Sequence, residues 1–360
     1  MHLRIHDKYI TASFLRNFAF STFAFTLIYV IVDVFEEIDN YIDHDTSVGT
    51  VARYYFYSLP FILTYIVPTA LLLATVFSLG VLARRNELTA LVASGVSMVR
   101  LAMPLILIAL AISAFSAWFN DAPVAHANRI RLDIKHYEIE GQPRPMGQIR
   151  KDFQYLGDEG YVYLASTYNP LTHTLYNIVV QKFGENTLER RIDARRAVWK
   201  DSVWVFQDGY RRVFTGKTDS VRAFKSYVDT LITETPADFD EKPLDEDEMT
   251  ANELRDYIHK VRRSGGNVER IMVNLYFKFS FPFSGLMFVL IGIAFAAGRR
   301  KPSMATGFGM TLAVSFLYYV VLRVGQTLGH NGVLPPLLAA QAGNIIFLVI
   351  GSVLVGRANR

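Results

Sequence analysis

Cysteine is absent from the 360 residues. That excludes disulfides, thiolate metal sites, iron–sulfur clusters and cysteine nucleophiles, and leaves the redox compartment unreadable. Charge is also scarce. Asp, Glu, Lys and Arg make up 19% of the chain, below the roughly 25% of ordinary soluble proteins. The shortage is concentrated: residues 17–32, 54–83, 101–120, 279–298, 302–322 and 324–356 contain none of the four. Most of these stretches reach the roughly 20 residues that a helix needs to cross a ~30 Å hydrocarbon core. A soluble enzyme, a disordered chain and a secreted disulfide scaffold are excluded. The net charge of +4 does not point to nucleic acid, because the sorting of charge along the chain is that of membrane topology. The first apolar stretch is followed by Asp33, Glu36 and Glu37 with no small-residue cleavage pattern, so it reads as a retained span.

Six spans are expected: Ser13–Val34, one within Tyr57–Leu82, Leu101–Phe119, Phe279–Ala297, Pro302–Leu322 and Leu334–Val355. Pro60 and Pro68 are expected to kink the second. Gly329-His330-Asn331-Gly332 and Pro335-Pro336 divide the last uncharged stretch with turn chemistry. With the N-terminus inside, the inner segments carry Arg4, Lys8, Arg16, Arg84, Arg85, Arg100, Arg299, Arg300, Lys301, Arg357 and Arg360. The short outer segments carry only Arg53 and Arg323. Both termini are therefore expected in the cytoplasm and the long insert outside.

The expected layout is transmembrane helices 1–3 over 1–120, an outer β domain over 121–248, a connecting helix within 249–278, and transmembrane helices 4–6 over 279–360. In the insert, Tyr161–Leu164, Tyr176–Phe183, Ala197–Phe206, Tyr210–Phe214 and Ala223–Ile232 read as strands of a small antiparallel sandwich. Trp199 and Trp204 are expected in its core. Glu234–Glu248 reads as an acidic linker. Thr250 and Glu253 form a capping-box pattern, with Leu254, Ile258 and Val261 on one helical face and Gly265 or Gly266 as the stop.

Catalytic signatures are missing. Gly216-Lys217-Thr218 lacks the upstream glycine of a phosphate-binding loop, because Arg211 occupies that position. No His-rich metal motif occurs, and no expected span carries a buried acid. The chain is expected to be no enzyme and to bind no metal or cofactor. Energy for any movement would come from a partner.

The inner loop 83–100 carries a candidate helix. Asn86 is placed as its N-cap, Glu87 in the first turn, Leu88, Leu91 and Val92 on one apolar face, and Gly95 as its stop. Lying on lipid and docking into a soluble partner remain alternative readings of that face.

The sequence resembles the lipopolysaccharide export permease family, the paired LptF and LptG proteins. The resemblance rests on Asp7-Lys8-Tyr9-Ile10, Ala83–Gly95, Glu234-Thr235-Pro236-Ala237-Asp238-Phe239, Pro282, Phe316-Leu317-Tyr318-Tyr319 and Gly329–Pro336. The first and last of these are more similar to the G-type member. The resemblance implies six transmembrane helices with a periplasmic β-jellyroll-like domain in the inner membrane of a Gram-negative bacterium. It implies a heterodimer with a paralogous permease and two cytoplasmic ATPase subunits that hold the ATP. A bitopic periplasmic jellyroll protein would receive the lipopolysaccharide. Arg84, Arg85, Glu87, Leu88, Leu91 and Val92 would form the ATPase-coupling helix. Spans 1 and 5 would line a lipid cavity and lateral gate, with Phe18, Phe23, Phe25, Tyr29, Phe308, Phe316, Tyr318 and Tyr319 as candidate walls.

The outer end of span 1 departs from relatives that carry lysines there. Here it holds Asp33, Glu36, Glu37, Asp39, Asp43 and Asp45. Arg53, Arg323 or the partner permease would then meet lipid phosphate, or divalent ions would bridge the carboxylates to it. Gln341 and Gly343 before Asn344 form a second departure. Two rival functions stand beside export: a permease for another lipid or lipoprotein, and a membrane sensor or assembly factor whose outer domain binds a ligand.

Overall fold

The computed structural model describes residues 5–143, 148–184, 187–214, 219–240, 244–297 and 303–358. Gly216-Lys217-Thr218, Arg4, Arg299, Arg300, Lys301, Pro302 and Arg360 lie outside the described residues. The chain divides into two compact units, Met1–Gly141 with Met272–Arg360, and Gln142–Ile271.

The first unit is helical because its uncharged runs leave the backbone no polar partner but itself. Its first half comprises α1 (Ile5–Glu36), α2 (Ile38–Asp43), α3 (Val48–Arg84), α4 (Glu87–Ala93), α5 (Met98–Phe119) and α6 (Ala122–Asp133), the last continuing into a π-helical turn over Ile134–Ile139. Serine hydroxyls start two of the long helices: Ser47 accepts from the Thr50 N–H at 3.1 Å and Ser97 from the Arg100 N–H at 3.3 Å. α3 remains one helix through Pro60 and Pro68. Among the described residues, six helical segments are long and apolar enough to cross a membrane, and they match the six expected spans.

The middle of the chain forms the second unit. Strands β1 (Arg150–Leu156), β2 (Tyr161–Asn169), β3 (Thr174–Phe183), β4 (Leu188–Lys200), β5 (Val203–Phe214) and β6 (Asp219–Val228) make one antiparallel sheet in chain order. The two facing sheets expected of a sandwich are joined here as one. The expected strand Ala197–Phe206 is a hairpin. Asp201 and Ser202, both with positive φ, turn the chain between Lys200 and Val203, as the right-handed twist of paired strands favours. The turn brings Trp199 opposite Trp204, ring centroids 5.2 Å apart, and both join the core.

The expected acidic linker is a structural plug. Its short helix α7 (Pro236–Asp240) sets Phe239, fully buried, among the rings of Phe153, Tyr155, Tyr163, Tyr168 and Trp204. Glu234 is buried with it. Its carboxylate accepts from the Tyr163 hydroxyl at 2.5 Å and the Asp158 N–H at 2.9 Å, and its carbonyl accepts from the Trp204 indole at 2.8 Å. Helix α8 (Ala251–Arg263) follows with the expected reciprocal capping box of Thr250 and Glu253. Leu254, Ile258 and Val261 are buried, and Gly265 has a φ of +72° beyond its end.

The chain returns to the first unit through α9 (Glu269–Ser280), α10 (Ser284–Ala297), α11 (Met304–His330) and α12 (Pro336–Ala358). α3 and α10 form the centre. Of the apolar stretch of α3, 78% is buried, against 6% of that of α1. Gly285 and Gly292 let α10 approach α3, since a Cβ at either would come within 2.6 Å of Leu71 or 2.9 Å of Thr75.

The fourth span is broken. Pro282 sits in a 3₁₀ turn over Phe281–Phe283 between α9 and α10. The carbonyl that Pro282 leaves without its helical N–H, that of Lys278, accepts from the Asn120 side-chain amide at 2.9 Å, and the Asn344 amide on α12 donates to the Ser280 carbonyl at 2.7 Å. Its own oxygen accepts from the Tyr318 hydroxyl at 3.0 Å. Gly343 leaves room for this pair, because a Cβ there would lie 3.0 Å from the Tyr318 ring.

Candidate lipid-facing and coupling sites

α1 and α11 both pack on α3. Among the described residues they share a stacked aromatic pair, Phe25 and Phe308, with centroids 6.3 Å apart. Phe18 and Phe25 pack on Ile62, Ile66 and Ala70 of α3. Around this contact the side chains turn outward. Phe23 is 68% exposed and Phe316 72%, with Tyr29 and Phe308 also exposed. An exposed apolar surface of this extent on two neighbouring helices suits acyl chains.

Two candidate wall residues belong elsewhere. Tyr318 is buried between Phe288 and Phe347, with its hydroxyl on Asn344. Tyr319 donates to the Tyr65 carbonyl at 2.8 Å and packs near Phe281. The helical period separates them from Phe316. Successive residues rotate by about 100°, so one motif presents both a surface ring and core rings.

The loop after α3 forms the expected short helix, α4. Gly95, with φ +88°, ends it in a Schellman arrangement: the Gly95 N–H meets the Val92 carbonyl at 3.0 Å and the Val96 N–H meets the Leu91 carbonyl at 3.3 Å. Asn86 does not cap it through its side chain. Its backbone is left-handed (φ 60°), which turns the chain after Arg84 and Arg85. Leu88 is buried among Ile10, Met98 and Leu101, and Leu91 packs on the same cluster. Leu88 is thus a core residue and not part of a free docking face. Val92 remains exposed, and so do Arg85 and Glu87, whose charged groups stand 3.8 Å apart with side chains 64% and 40% exposed.

The candidate phosphate contacts are differently placed. Arg53 faces Glu138 at 3.1 Å, so its charge is already matched. Arg323 is exposed on α11, donating to Gln326 at 3.1 Å. The acidic segment is partly absorbed by neighbours. Asp33 accepts from the Tyr55 hydroxyl at 2.7 Å, which lies 3.2 Å from the Tyr41 hydroxyl. Glu37 meets Lys135 at 2.9 Å and Asn40 at 3.0 Å. The Asn40 amide and the Lys135 ammonium hold the Glu37 carboxyl below the usual carboxylate range. Glu36, Asp39, Asp43 and Asp45 are exposed. Among the described residues no three acidic or histidine side chains converge as a metal-binding group. The divalent-bridge expectation therefore has no geometric support there.

Sequence reasoning missed one pair. Asp7 on α1 is buried and takes a two-pronged hydrogen bond from Arg100 on α5, at 3.2 and 3.0 Å. The signal was present: two opposite charges at the same ends of alternating spans are neighbours by topology.

Among the described residues, six membrane-competent helices, three before and three after an inserted antiparallel β domain, give the pattern of a multi-pass membrane protein. The family model of the lipopolysaccharide export system permease LptF/LptG matches residues 8–357. Lipopolysaccharide export system permease protein LptG of Escherichia coli strain K12 is 24% identical over 305 residues, covering 79% of each chain. The LptG of Escherichia coli O6:H1 strain CFT073 matches equally. The chain belongs to the LptF/LptG family of lipopolysaccharide export permeases.

Proposed function

We propose that this chain is the G-type permease of a lipopolysaccharide exporter, working as half of a heterodimeric membrane unit. The observation that carries the proposal is the paired apolar surface of α1 and α11, joined only lightly at Phe25 and Phe308, in a chain matched by the permease family over 8–357. The N-terminus, α4 and the C-terminus face the cytoplasm and the β domain the periplasm, in keeping with the sorting of Lys and Arg. Two ATPase subunits carry the ATP and engage α4 through Arg85, Glu87 and Val92. A periplasmic jellyroll protein accepts the lipid.

The cycle is mechanical. Lipid enters from the bilayer between the helices of the two permeases, its acyl chains against Phe23, Phe308 and Phe316. ATP binding draws the ATPases together, α4 transmits the displacement, and the cavity narrows and expels the lipid. Arg323, exposed at the outer part of α11, is the better placed of the two candidate cations for a lipid phosphate.

Affinity purification of the chain from membranes in mild detergent tests this reading. The expected result is co-purification of a soluble ATPase and a second permease, with ATP-dependent lipopolysaccharide release from reconstituted vesicles. A chain isolated alone, with α4 dispensable for its role, would favour the sensor or assembly-factor alternative.

A further inference from the structure

Asp7 is a buried acid that the cycle above does not use. Arg100 grips it in a bidentate fork, and His6 lies 3.4 Å from the same carboxylate. Asp7 is withdrawn from water while the Arg100 side chain stays 31% exposed, and a carboxylate desolvated in this way is weak evidence for stability and better suited to fixing one element against another. The fork geometry also resists sliding.

The surroundings show what is fixed. Arg100 lies in the first turn of α5, three residues after the Ser97 cap and just beyond α4. Ile10 and Phe14 of α1, Leu88 of α4, and Met98 and Leu101 of α5 are buried in one cluster beside the pair. The α4 end of α1 is therefore locked to the coupling segment. Farther along, α1 turns Phe20, Phe23, Leu27, Ile28 and Ile31 outward. The face behind these residues stays on α3, where Phe18 and Phe25 pack on Ile62 and Ile66 and Asp33 accepts from the Tyr55 hydroxyl.

We propose that the Asp7–Arg100 pair is a positioning linkage that makes α1 move with α4, converting displacement of the coupling helix into displacement of the lipid-facing wall. The inference rests on the transport reading, because the ATPase supplies the displacement.

The native absence of cysteine makes a direct test practicable. Spin labels are placed at Val32→Cys on α1 and Val324→Cys on α11, both exposed, in the full transporter reconstituted with lipopolysaccharide. The wild-type pair is expected to change the label distance when ATP is trapped on the ATPases. Asp7→Asn is expected to abolish that change and lower lipid released per ATP hydrolysed about fivefold, with hydrolysis itself retained. The reversed pair Asp7→Arg/Arg100→Asp is expected to restore much of both. If Asp7→Asn does not assemble, Asp7→Leu/Arg100→Met removes the buried charges without leaving one unpaired, and is expected to assemble without moving α1. A normal distance change and release ratio in Asp7→Asn or in the apolar pair overturns the linkage. No ATP-dependent change in the wild-type background also overturns it. A distance change without lipid release strikes the transport reading alone.

Discussion

The ring of Phe25 on α1 lies nearly parallel to that of Phe308 on α11, the planes 19° apart and the centroids separated by 6.3 Å. A single aromatic contact of this kind is worth about 1 kcal/mol. That is strong enough to define a closed edge and weak enough to open when a partner helix or an acyl chain competes. Parting these rings requires no break in backbone hydrogen bonding, since each helix is satisfied within itself.

Locking this edge should stop transport. The pair Phe25→Cys/Phe308→Cys, cross-linked with a short bifunctional reagent, is expected to abolish lipopolysaccharide release while ATP hydrolysis continues. The uncross-linked double variant, which also trims the Phe308 contact with acyl chains, should release at a reduced rate that cross-linking then abolishes. The check is release from reconstituted vesicles before and after cross-linking, in a chain with no other thiol.

Glu87 tests the other end of the cycle. Its carboxylate is exposed beside Arg85 on α4, so it is available to a basic residue of the ATPase. Glu87→Arg should leave membrane insertion intact and reduce lipid export by about tenfold or more, a loss of 1.4 kcal/mol or greater in the coupled step. Export at the wild-type rate with normal ATPase assembly would remove Glu87 from the coupling site.

Asn344 tests the broken fourth span. Replacing it by Leu leaves the Ser280 carbonyl and the Tyr318 hydroxyl without their amide partner. The expected cost is about 1–3 kcal/mol, read as a lowered unfolding midpoint in detergent. Gly343→Ala should destabilise in the same direction by pressing on the Tyr318 ring.

The β domain carries a pH prediction. Burial, and then the charge and hydrogen bond of Glu234, push the Tyr163 hydroxyl well above the ordinary tyrosine range. The unfolded chain ionises near pH 10 while the folded one holds its proton, so this contribution is intact below about pH 10 and is lost as pH rises above it. Tyr163→Phe should flatten the alkaline loss of β-domain structure followed by circular dichroism, while lowering stability near neutrality through the lost bond to Glu234.

What could be read from the sequence follows the range of the forces involved. The spans were legible because runs such as 54–83 and 324–356 state their environment residue by residue. α8 was legible because Thr250, Glu253 and Gly265 act within a few positions. α4 was found for the same reason, by Glu87 and Gly95. Partnerships across the fold were not legible. Leu88 fits a surface stripe by spacing, yet it packs on Ile10, far away in the chain. Tyr318 is adjacent to Leu317 in sequence, yet it is buried while Leu317 is exposed. Phe239 sits in a segment that composition marks as a linker, and only the sheet around it reveals a core. Asp201 and Ser202 carry no glycine to announce their turn, so the hairpin looked like one strand.

The central claim is that α1 and α11 of this chain face the transported lipid. Photoreactive amino acids placed singly at Phe23 and Phe316, in cells making lipopolysaccharide, measure this most directly. Lipopolysaccharide adducts at both positions, absent from a control at the buried Phe288, are the predicted result. No adduct at either position, in a chain that inserts and assembles normally, would contradict the account.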